Sequence, residues 1–283
     1  MRRASEGLRR IVARYPELRS IGREFTLRTF NAARAEFALL ATIFVVVTGL
    51  WAFISLAGEI VEGETEAFDR AVLLFFRSAG DPSDPIGPLW LEEAVRDVTA
   101  LGGNLVLTFV TAAVIVYLLL ARKRGAGLLV FVSVAGGTLL ASLLKFFFQR
   151  ARPDLVPHGA EVYSASFPSS HAMMSAVVYL TLGALLARIE VVPRLRLYFL
   201  ALAALLTAMV GISRVYLGVH WPTDVVAGWA IGSAWAMLVW LIALWLQRRG
   251  RIEGDGAPSP RIRRSARRTG TALRSAPAPS TEE

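Results

Sequence analysis

FPSSHAMMSAVVYLTLGALLA, residues 167–187, passes within a few residues from two serines and a histidine into an apolar run. The run reads as a membrane-crossing helix and the residues before it as its polar mouth. Keeping a histidine beside lipid is costly, which makes the junction a candidate functional site. A second junction of this kind, SRVYLGVHWPTD at residues 213–224, carries Arg214, His220 and Asp224 between two further apolar runs. The two junctions hold two of the chain's three histidines.

Outward from them, six apolar runs are visible, at 37–58, 104–121, 127–148, 171–187, 197–213 and 222–246. Each approaches the roughly 20 residues a helix needs to span a bilayer, the fourth and fifth being short. With 283 residues, 54% of them hydrophobic, and a mean hydropathy of +0.50, the chain is too apolar for a soluble globule. An all-α integral membrane bundle of six helices is therefore predicted. Cysteine is absent, which excludes disulfides and thiolate metal sites, and three histidines argue against a His-rich cage. The net charge of +9 is concentrated at the chain ends, which suits a membrane surface and not nucleic acid.

Charge also orients the bundle. Residues 1–36 carry nine arginines against four glutamates and read as an amphipathic segment on an anionic leaflet or a disordered basic arm. This N-terminus, Arg122-Lys123-Arg124, the loop with Arg188, Arg194 and Arg196, and the basic tail from Arg248 all fall on one side of six spans, so that side and both termini are predicted cytoplasmic. The domain reading is a basic segment 1–36, a membrane domain 37–247 and a disordered tail 248–283. Residues 59–103, with ten carboxylates and three arginines, fall outside. Within them residues 68–77 are expected to form a short interfacial helix, ended by Gly80 and a DPSDP turn.

Both junctions land on that outer side, as does KFFFQRARP at residues 145–153. Lys145 is expected in the last turn of the third span, with the helix ending near Arg150 because Pro153 disfavours helix before it. Ser169 and Ser170 can cap the next helix and leave backbone N–H groups facing the loop, a natural anion site with His171 in its first turn. Asp224 lies one turn beyond His220 and can fix the imidazole tautomer, while Arg214 offers a fork matched to phosphate oxygens. Taken singly, each stretch has a plain alternative: headgroup snorkelling for Lys145 and Arg152, a serine cap beside an interfacial histidine, a structural histidine next to a capping aspartate. Asp154, His158, His220 and Asp224 could in principle ligate a metal, but no compact ligand motif is present and nearby cations would repel one. No metal or other cofactor is expected.

Together the three stretches resemble the signature of the type 2 phosphatidic acid phosphatases, the lipid phosphate phosphatases related to vanadium haloperoxidases. Lys145 to Arg152-Pro153, Pro168-Ser169 to His171, and Ser213-Arg214 to His220 to Asp224 match in order and spacing. Ser170 stands where the family has glycine, and a side chain there would tighten or reshape the pocket. The resemblance implies that His220 attacks phosphorus to form a phosphohistidine, Asp224 orients it and His171 protonates the leaving oxygen. Lys145, Arg152, Ser169, Ser170 and Arg214 would hold the phosphate oxygens. It further implies a lipid phosphate substrate, such as phosphatidic acid, phosphatidylglycerophosphate, undecaprenyl diphosphate or lipid A 1-phosphate, at the outer face of a bacterial inner membrane. A phosphotransferase using the same intermediate and an anionic-lipid transporter remain alternatives.

Overall fold

The computed structural model describes residues 16–158 and 164–248. The readings for residues 1–15 and for the tail after Arg248 lie outside the described residues. A long first helix, α1 (Pro16–Glu62), runs without a break through the residue 36/37 boundary into its apolar part, Leu39–Glu62. It is followed by α2 (Glu66–Phe75), a two-stranded hairpin β1 (Arg77–Ser78) and β2 (Asp81–Pro85), then α3 (Leu89–Ala100) and α4 (Asn104–Leu120). The bundle closes with α5 (Arg124–Phe148), α6 (Ser170–Ile189), α7 (Pro193–Tyr216) and α8 (Pro222–Arg248).

Five of these helices are long and apolar enough to cross a membrane, and the pair α3–α4, bent by 45°, reaches that length and apolarity as a sixth when taken as one span. That pair departs from the sequence reading, which began the second span at residue 104. At about 1.5 Å per residue, 17 residues of α4 reach only about 25 Å of a core about 30 Å thick, and α3 supplies the remainder. The bend falls at Gly102–Gly103, where a side chain on Gly102 would lie 2.2 Å from Val210 Cγ1. The fourth and fifth spans, short in sequence, extend to 20 and 24 residues because their polar ends are helical too.

Two corrections concern residues 59–103. The helix expected over 68–77 covers Glu66–Phe75, and Arg77 lies beyond it in β1. DPSDP is no turn: it is strand β2, paired antiparallel to β1, and the reversal falls at Gly80 with φ +91°. Proline is tolerated on such an exposed edge, which needs no donor there.

Exposed apolar residues explain how the bundle meets lipid. On α4, Leu105, Phe109, Val116 and Leu120 share the outward face, while Leu107, Thr111 and Leu118 are buried. The most enclosed helix is α6, with half of its apolar window inside the protein; it packs against α7 and α8. Along α8, Gly228 and Gly232 let the two backbones touch. An added Cβ would lie 2.8 Å from the Ser169 carbonyl oxygen at Gly228 and 2.5 Å from that of Met173 at Gly232. Small residues are how membrane helices approach this closely. Gly232→Ala is therefore expected to destabilise the protein by about 1–3 kcal/mol, read as a lower unfolding temperature in detergent; an unchanged temperature would refute the contact.

Candidate active site

The C-terminal ends of α5 and α7 and the N-terminal ends of α6 and α8 gather at one end of the bundle. The 164–169 loop is anchored there by Phe167, fully buried, stacked on Phe53 at 5.6 Å and edge-on to Phe148 at 4.8 Å. The Ser169 backbone N–H donates to the Asp224 carbonyl at 3.0 Å, joining the starts of α6 and α8. All eight residues singled out in the sequence belong to these ends and the loops beside them.

Asp224 is the third residue of α8. Its Oδ2 accepts the Trp221 backbone N–H at 3.0 Å, half of a capping box. His220 precedes the helix and is 2% exposed; Asp224 is 0% exposed. The sequence predicts a direct imidazole–carboxylate bond, and the geometry modifies it. His220 Nδ1 lies 3.5 Å from Asp224 Oδ2 but 3.3 Å from Ser166 Oγ, whose hydroxyl donates to that same Oδ2. Ser166 thus relays the link, accepting from Nδ1–H while donating to the carboxylate. On the ring's other side, Arg152 Nη1 is 3.2 Å from Nε2. A guanidinium only donates, so Nε2 carries the lone pair. Burial holds the His220 imidazole down to about 4, and Arg152 and Arg214 push the same way against the opposing pull of Asp224. At neutral pH it is an uncharged ring with its free nitrogen facing the cations.

Arg152 reaches across to the Val219 carbonyl at 2.6 Å and the Ser164 carbonyl at 2.8 Å. Lys145, in the last turn of α5, donates to the Ala165 carbonyl and not to its own helix end. Arg214, 3% exposed, donates to Thr99 Oγ1 at 3.0 Å, and its Nε is buried without a partner. Ser169 is the N-cap of α6, yet its side chain makes no cap bond and its Oγ is likewise buried and unpaired. Ser170, the first residue of α6, and His171 beside it are half-buried. His171 sits where Arg214, His220, Arg152 and Lys145 all act on it electrostatically. Among the described residues no carboxylate lies within ion-pairing distance of Lys145, Arg152 or Arg214.

Arg150 is different. Its Nη1 pairs with Asp224 Oδ1 at 2.6 Å and its Nη2 with Asp69 Oδ2 at 2.8 Å. Sequence reasoning passed over Arg150, Asp69, Ser166 and Thr99. Nothing local separates Arg150 from Arg152, two arginines in one irregular stretch whose partners lie far along the chain. His158, weighed as a ligand, bonds its Nε2 to the Pro153 carbonyl at 2.7 Å.

Such a cluster can bind a multivalent oxyanion and present a nucleophilic or basic nitrogen to it. Comparison with known proteins points the same way. A sequence model described as the PAP2 superfamily matches residues 126–248. The chain is 32% identical over 180 residues to phosphatidylglycerophosphatase B of Bacillus subtilis, covering 63% of this chain and 83% of that protein. It is 33% identical over 142 residues to lipid A 1-phosphatase of Rhizobium etli, covering 47% and 56%. Identity to the undecaprenyl-diphosphatase of Sulfolobus acidocaldarius is 30% over 132 residues, covering 44% and 57%. The fold matches the crystal structure of a transmembrane PAP2 type phosphatidylglycerolphosphate phosphatase from Bacillus subtilis, with a TM-score of 0.62 at 30% identity over 72% of this chain and 98% of that one. A relative spanned over most of its length and a superposable multi-helix membrane fold place this chain in the PAP2 superfamily.

Proposed function

We propose that this protein is a membrane phosphatase that hydrolyses a lipid phosphomonoester or diphosphate through a phosphohistidine at His220. One observation supports this most directly: Arg152 and Arg214 act on His220, and Lys145 joins them at His171, none with a carboxylate partner among the described residues, while Arg214 Nε and Ser169 Oγ are buried donors without acceptors. Unpaired buried donors of that kind cost stability unless a ligand satisfies them, and a tetrahedral phosphate supplies the matching oxygens.

In this reading His220 Nε2 attacks phosphorus. The bond to the leaving oxygen breaks as His171 delivers it a proton. Lys145, Arg152, Arg214 and the start of α6 at Ser169 and Ser170 take the charge that builds on the non-bridging oxygens. Water, losing a proton to His171, then attacks phosphorus; the N–P bond breaks and inorganic phosphate leaves. The lipid tails stay beside the apolar helix faces.

The arginine-rich loops at the opposite end of the bundle support a site on the outer face with the termini in the cytoplasm. The names of the relatives suggest the substrates to try: phosphatidylglycerophosphate, lipid A 1-phosphate and undecaprenyl diphosphate, with phosphatidic acid as the simplest member of the class. Purified full-length protein in detergent is expected to release inorganic phosphate from at least one of these four without added metal. Release from none would overturn the proposal.

A further inference from the structure

We propose that Asp69 and Arg150 are positioning residues for the reaction: together they set the charge and rotamer of Asp224, and through it the aim of His220. The proposal rests on the reading of His220 as nucleophile.

Asp69 lies on α2, outside the six spans, yet is 1% exposed. Both of its oxygens are engaged at the start of α8. Oδ1 accepts the Thr223 backbone N–H at 3.0 Å, and Oδ2 accepts the Thr223 hydroxyl at 2.7 Å and Arg150 Nη2 at 2.8 Å. Arg150 is held from every side, by Asp69, by Asp224 Oδ1, by Thr223 Oγ1 at 2.9 Å and by Thr65 Oγ1 at 3.3 Å, with its guanidinium 5.8 Å from the centre of the Trp221 ring. With Oδ1 of Asp224 fastened to Arg150, Oδ2 is turned to the start of α8, where it meets the Trp221 N–H, Ser166 and His220.

The charges explain why two carboxylates are needed. Arg150 paired with Asp224 alone would cancel most of the negative charge that must stabilise the imidazole as it becomes cationic on attacking phosphorus. Sharing the guanidinium with Asp69 leaves the buried trio with a net charge of −1, and that charge sits beside His220. A shift of order 1 Å at a reacting group can cost about 100-fold in rate, so a loosened carboxylate is read directly in turnover. The same contacts tie α2 to the catalytic end of α8, which makes the outer segment part of the site and not only its cover.

The test uses the full-length protein in detergent with the best substrate of the panel. Asp69→Asn keeps the shape and removes the charge; kcat is expected to fall about 10- to 100-fold while KM stays within about threefold, because Asp69 touches no substrate oxygen. Arg150→Lys, which cannot fork between two carboxylates, is expected to fall at least as far. Arg150→Met is measured alone and combined with Asp69→Asn; the double variant removes both charges together and should lose less than the product of the losses of Asp69→Asn and Arg150→Met. Should Asp69→Asn not yield monodisperse protein, Thr223→Val keeps every charge, removes one hydroxyl from the network, and should lower kcat by about 3- to 10-fold. Variants with wild-type kcat and only a lower unfolding temperature would make the network structural and overturn the proposal alone. A wild-type protein inactive on the whole panel would instead remove the phosphatase reading and this proposal with it.

Discussion

Replacing His220 with alanine is expected to lower phosphate release by about 10⁴-fold or more and to abolish any acid-labile phosphoenzyme, while the protein stays folded. Nε2 is the only ring nitrogen with a lone pair in this geometry, because Nδ1 points its hydrogen at Ser166 and Asp224. Loss of the ring leaves Asp224 satisfied by Arg150, Ser166 and the Trp221 N–H, so no buried charge is stranded. The pH behaviour follows with a definite sign. Burial keeps the imidazole neutral down to about 4, so the step that needs its lone pair should persist through neutral pH and fail as pH falls through about 4. The same ring, once unfolded, binds a proton from about 6.5. The unfolded state therefore gains protons first, and about 3 kcal/mol of stability drains away as pH drops from about 6.5 to about 4. His220→Ala should lack that acid-sensitive component in thermal unfolding. Turnover of His220→Ala within tenfold of wild type would sink the assignment.

Arg214→Met should move activity and stability in opposite directions. Arg214 is a buried cation with one hydrogen bond, to Thr99, and an unpaired Nε. Its desolvation is not offset by a carboxylate among the described residues, and an apolar side chain of similar length removes that cost. The variant is expected to unfold at a higher temperature than wild type. Its kcat should nevertheless fall about 10²- to 10³-fold, the usual loss when one donor to a developing oxyanion is deleted. Inorganic phosphate gives an independent reading. It should raise the unfolding temperature of wild type, because it binds only the folded site, and raise that of Arg214→Met much less. A variant that unfolds earlier than wild type while keeping its kcat would show that Arg214 holds the fold and not the phosphate.

These two residues also show how far sequence reading extends. Arg214 and His220 sit in one stretch of twelve residues, at junctions between apolar runs, and spacing along a helix brings Asp224 near His220 with no knowledge of the fold. Hydropathy located the spans in the same local way, apart from α3, whose charged residues hid it from an apolar search. Ser166 is a harder case. It lies one residue before the FPSSH stretch and changes how the imidazole meets its carboxylate, yet a serine in a loop carries no signal until the loop is folded onto α8.

What the sequence determined by itself was therefore the class of protein and the place of the candidate site: apolar runs long enough to span, basic loops at one end, and three polar stretches matching the family signature in order. Those features depend on hydrophobicity and helical periodicity, which act over a few turns of chain. Only the tertiary structure decided which cations are neutralised and which are not. Arg150 and Arg152 are two residues apart, but Arg150 meets Asp69 and Asp224 across 81 and 74 residues of chain, while Arg152 is left to face His220. Charge pairing falls steeply with distance in space and not along the chain, so the division between an arginine bound to Asp224 and arginines left without a carboxylate among the described residues exists only once α2, α5 and α8 are packed together.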